Sequence, residues 1–87
     1  MFADDYRGRS AKEGVVSYAL RVLGIDRNDP TYKVNYNSIG SALMKLGGED
    51  YAVDFIDQVN SEIRQGEWDA VRNRPAVFIN RINALAS

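Results

Sequence analysis

The chain has no cysteine and no histidine among its 87 residues. Those two absences remove disulfide staples, thiolate and imidazole metal sites, and every nucleophilic or acid–base scheme that runs through Cys or His. Long hydrophobic runs are missing too: the longest, Ala76 to Ile79, is far too short to span a bilayer. Met1-Phe2-Ala3-Asp4-Asp5 opens with acid where a secretory signal needs a basic start, so the expected setting is the cytoplasm. What is left is one small domain. A chain of this length buries only roughly 60 to 65% of the surface its unfolded form exposes, so its stability is expected to be marginal to moderate.

The net charge of −1 does not describe a protein coated for nucleic acid, whose domain pI usually exceeds about 9. Its distribution says more. Residues 1–48 carry +2, residues 49–69 carry −6, and residues 70–87 carry +3 with no acidic side chain at all. Segregation of that kind produces local fields that the total conceals.

Ser10-Ala11-Lys12-Glu13 has the pattern of a capping box and precedes an apolar-rich run ending at Gly24, which predicts a first helix over 11–23. Residues 25–30 read as a loop. Tyr32-Lys33-Val34-Asn35-Tyr36 alternates apolar and polar, which fits an extended or irregular segment, with a helical turn as the alternative. A second helix is expected over 38–46, on Ile39, Ala42, Leu43 and Leu46, with Gly47-Gly48 as its stop. The third, over 49–65, has the firmest periodicity, with Ala52, Phe55, Ile56, Val59 and Ile63 on one face and Gly66 after its end. Trp68 belongs to a short turn tucked under the core. Pro75 opens a fourth helix, with Phe78, Ile82 and Leu85 on its inner face. The fold class is therefore all-α: a compact irregular or orthogonal bundle of four main helices plus one or two short helical turns. Residues 1–87 form a single domain, with 1–9 as an arm. The expected core is Val15, Ala19, Leu20, Leu23, Ile39, Leu43, Leu46, Phe55, Ile56, Val59, Ile63, Trp68, Phe78, Ile82 and Leu85.

Three constellations carry candidate chemistry. Arg72 and Arg74 precede the fourth helix, and if Pro75 is its first residue, Arg74 takes the N-cap, where it accepts no hydrogen bond from the open N–H groups. A phosphate would satisfy those donors and both guanidinium groups together, with Arg81 extending the strip. The alternative is that Glu62, Glu67 or Asp69 pairs with the arginines, or that Asn73 caps an earlier start. Asp50, Asp54 and Asp57 form a second group, a stripe on helix three about 180° from its apolar face. One exposed helix offers too few oxygen ligands for Mg²⁺ or Ca²⁺, so no metal or cofactor is expected; the stripe is either a solvated face or a dock for a basic partner. The third group, Lys33 and Tyr36 with Tyr32, Tyr6, Arg7 and Arg9, mixes aromatic and basic side chains as single-strand binders do, although tyrosines bordering a core give the same pattern. A helix-turn-helix built on helices two and three is excluded by charge. Helix three sets five carboxylates against Arg64 and would be repelled from a groove walled by phosphates.

Gly66-Glu67-Trp68-Asp69-Ala70-Val71-Arg72-Asn73-Arg74-Pro75-Ala76-Val77-Phe78 resembles a pattern in small helical domains of plasmid and phage replication initiators and primases. In that pattern a glycine and a short apolar turn lead into Asn-Pro-Ala-x-aromatic and a final basic helix. Asn73, Pro75, Ala76 and Phe78 match it, and Arg74, standing between Asn73 and Pro75, departs from it. The resemblance implies a helical accessory module of DNA replication without an active site. The resulting expectation is a non-enzymatic nucleic-acid-binding or replication-associated module that contacts phosphate through Arg72, Arg74 and Arg81, helped by Lys33 and Tyr36. The alternative is a protein-interaction module that docks a basic partner on Asp50, Asp54 and Asp57.

Overall fold

The computed structural model describes residues 14–86. Four helices follow one another, α1 (Val15–Leu23), α2 (Tyr32–Leu43), α3 (Glu49–Arg64) and α4 (Arg74–Ala86), with a 3-10 turn over Met44–Leu46 between α2 and α3. No strand occurs among the described residues, so the all-α expectation holds. The capping box at Ser10 to Glu13 and the arm over 1–9, with Tyr6, Arg7 and Arg9, lie outside the described residues.

Helices α1 and α3 end by the same device. Beyond α1, Gly24 adopts φ 81; its N–H donates to the Arg21 carbonyl at 3.1 Å, and that of Ile25 reaches back to Leu20 at 2.9 Å. Beyond α3, Gly66 has φ 83, its N–H donates to Ile63 at 3.0 Å, and that of Glu67 donates to Glu62 at 3.0 Å. In both places carbonyls left open by the helix end gain donors, and glycine enters the left-handed region without a Cβ clash.

The segment over 32–36 is helical, which corrects the extended reading. Its start is organised by Asp29, whose carboxylate accepts the Thr31 N–H at 2.8 Å and the Thr31 hydroxyl at 2.6 Å. The Asp29 carbonyl then receives the Tyr32 N–H at 2.9 Å, closing a turn that feeds directly into α2. Tyr32, Tyr36, Ile39 and Leu43 stand at i, i+4, i+7 and i+11, a helical stripe hidden inside what looked like alternation. Val34, the residue that completed the alternation, is 66% exposed. The second helix consequently begins earlier than expected, and Met44–Leu46 tightens into the 3-10 turn.

Helix α1 lies against α2 and α3, while α4 packs on α2 and the 3-10 turn. Tyr18, Leu20, Ile39, Ile56, Val59, Phe78 and Ile82 are essentially inaccessible. Phe55 and Phe78 meet edge to face with centroids 5.0 Å apart, joining α3 to α4. Burying each such side chain contributes about 1.5–3 kcal/mol. Trp68, on the turn between α3 and α4, is buried as expected. Leu85 leaves the expected core, and Tyr18, Ala42, Ala52 and Val53 join it. Leu85 is 65% exposed, because the last turn of α4 carries its apolar stripe past the end of the core. Tyr18, absent from the expected core, is at its centre.

Candidate functional site

At the start of α4, Asn73 is the cap, so Arg74 is the first helical residue and Pro75 the second. The Asn73 side-chain oxygen accepts the Ala76 N–H at 3.2 Å, and its carbonyl accepts that of Val77 at 3.2 Å. Proline brings no N–H, which leaves only the Arg74 N–H of the first turn without an intrahelical or capping acceptor. The row of open donors expected beside Arg72 and Arg74 is therefore not there. The arginines themselves are unclaimed: Arg72 is exposed, Arg74 half-buried, and neither forms an ion pair among the described residues.

Arg81 sits elsewhere in the architecture. Its guanidinium grips Glu62 of α3 with both nitrogens, Nη1 on Oε1 and Nη2 on Oε2, the latter at 3.0 Å. Trp68 Nε1–H donates to Glu62 Oε1 at 2.8 Å, and Gln58 Nε2–H donates to Oε2 at 3.3 Å. The guanidinium also lies 5.5 Å from the Phe55 ring centroid and 5.9 Å from that of Trp68. The bidentate bond from Arg81 holds the Glu62 carboxyl below its ordinary range; burial pulls the other way, and the indole N–H adds to the lowering. This is a clasp between α3 and α4.

The acidic stripe divides. Asp57 is half-buried and accepts the hydroxyl of Tyr18, which corrects its placement on a wholly solvated face. Asp50 and Asp54 stand exposed on the outward side of α3, and no hydrogen bond or ion pair from another described residue reaches them. Between them in sequence Tyr51 is 65% exposed, a large aromatic on the same open end of the helix. Lys33 is exposed on α2, and Tyr36 is 40% exposed with its ring tilted against Tyr32 at 6.1 Å. Among the described residues no three carboxylates converge closely enough to hold a metal ion.

Among the described residues, two concavities stand out. An apolar groove of about 310 Å³ is lined by Val15 and Val16 of α1, Leu43 of α2, Met44 of the 3-10 turn, and Glu49 and Ala52 of α3. Met44, one of the residues lining it, is 83% exposed. At the far end of α1 a cleft of about 320 Å³ holds Arg21, Asp26, Arg27 and Tyr32. Its mixed charges select no ligand class.

No protein-family model, curated protein or solved structure matches the chain. The resemblance of residues 66–78 to replication modules thus rests on those residues alone. Of the sequence-derived candidates, the fold brings Arg81 together with Glu62 and Trp68, and leaves Arg72, Arg74, Asp50 and Asp54 at the surface. Tyr18 and the groove are what sequence reasoning missed. A tyrosine within the apolar run of α1 was the only available signal for the first; the groove is assembled from four elements and had none.

Proposed function

We propose that the protein is a non-enzymatic interaction module that docks a basic segment of another protein on the head of α3. One observation carries the reading: Asp50 and Asp54 are exposed and unengaged on either side of the exposed Tyr51. The two carboxylates are one turn apart, about 6 Å along the helix, a spacing that a pair of arginines or lysines on a partner can match. A tyrosine beside them adds a cation–π face and a large contact area at small entropic cost. Exposed ion pairs are worth at most about 1 kcal/mol each, so affinity through charge alone is weak and falls with salt.

The test is a titration with a synthetic peptide of arginine, serine and glycine, followed by backbone NMR. Shifts are expected at the amides of residues 50–54, fading between low and physiological salt and absent from Asp50→Lys/Asp54→Lys. Unchanged binding by that variant removes the reading.

The second reading, contact with nucleic acid, is favoured by Arg72 and Arg74 lacking ion-pair partners among the described residues. Its support is narrower than the sequence suggested, because Arg81 already holds Glu62 and Asn73 caps α4. Oligonucleotide binding with a log–log salt slope of roughly −2, flattened by Arg72→Glu/Arg74→Glu, would establish it in place of the first.

A further inference from the structure

We draw no further inference here: the strongest candidate, the apolar groove lined by Val15 and Val16 of α1, Leu43 of α2, Met44 of the 3-10 turn and Ala52 of α3, carries nothing because nothing in the structure shows what covers it.

Discussion

In the second half of α3 the carboxylates are held from inside the molecule: Asp57 takes the Tyr18 hydroxyl from α1, and Glu62 takes Arg81, Trp68 and Gln58. In the first half Asp50 and Asp54 take nothing from the described residues and stand in water beside Tyr51. Composition does not separate the two halves, since both are acidic. Neighbours do. Around Asp57 and Glu62, α1, the turn after α3 and α4 bring a phenol, an indole and a guanidinium, so the charge is answered locally and fastens helices together. At the head of α3 the described neighbours are the aliphatic walls of the groove and the glycines 47 and 48, and the carboxylates of Asp50 and Asp54 meet no described partner. The same residue type is thus structural at one end of a helix and exposed to water at the other.

The largest expected effect breaks the inner half. Arg81→Met leaves Glu62 with a hydrogen-bonded but cation-free carboxylate, 18% of its side chain exposed, and should cost about 1–3 kcal/mol. The figure sits below that for a fully buried pair because a third of the Arg81 side chain stays in water and is screened. In a domain this small the thermal midpoint should fall by roughly 5–20 °C, read by circular dichroism. The pH dependence has a definite sign. Glu62 titrates lower in the folded chain than its ordinary value of 4.5, so its stabilisation is complete above about that pH and is lost as pH falls through the lowered folded value. Asp29, lowered by the Thr31 hydroxyl and N–H, acts in the same direction. Between pH 5 and pH 2 the wild-type midpoint should therefore decline more steeply than that of Glu62→Gln. Parallel curves would show that the clasp contributes no linked protons.

A smaller effect is expected on the α1 side of the same half. Tyr18→Phe keeps the ring in the core and removes only the hydroxyl that reaches Asp57, at a cost of about 1 kcal/mol and with no change in the denaturant m-value. A change in m would mean that the phenol organises α1 rather than bonding to α3.

Much of this arrangement was legible in the chain, and the part that was not has a common cause. The ends of α1 and α3 were readable because glycines 24 and 66 announce them, and the stripe of Phe55, Ile56 and Val59 because three turns of helical spacing leave no alternative. Residues 32–36 misled because two tyrosines one turn apart also stand four apart in an alternating run, and only Ile39 and Leu43 beyond them settle the period. The candidate site failed in a different way. Helical wheels assign each side chain an angle but not a neighbour, so Asp54 and Asp57 look alike in sequence although Tyr18, 39 residues before Asp57, reaches only the latter. Arg81 and Glu62, 19 residues apart, are a pair for the same reason. At the start of α4 the pairing was local, and there the alternative in which Asn73 caps an earlier start was already visible in the sequence.

The smallest effect tests the outer half. Asp50→Asn/Asp54→Asn removes two charges of one sign from a helix already rich in them, and no described partner loses an ion pair. Asp50, in the first turn, gives up a favourable dipole contact of about 0.3–1 kcal/mol, while Asp54, beyond that turn, gains slightly from reduced repulsion. The two nearly cancel, and the net change in unfolding free energy should stay within about 0.5 kcal/mol. Near-silence in stability combined with loss of basic-peptide binding is the pair of results that makes the head of α3 a docking surface. A destabilisation above about 1 kcal/mol would place these carboxylates beside Asp57 and Glu62 as structural groups, and the contrast between the two halves would disappear.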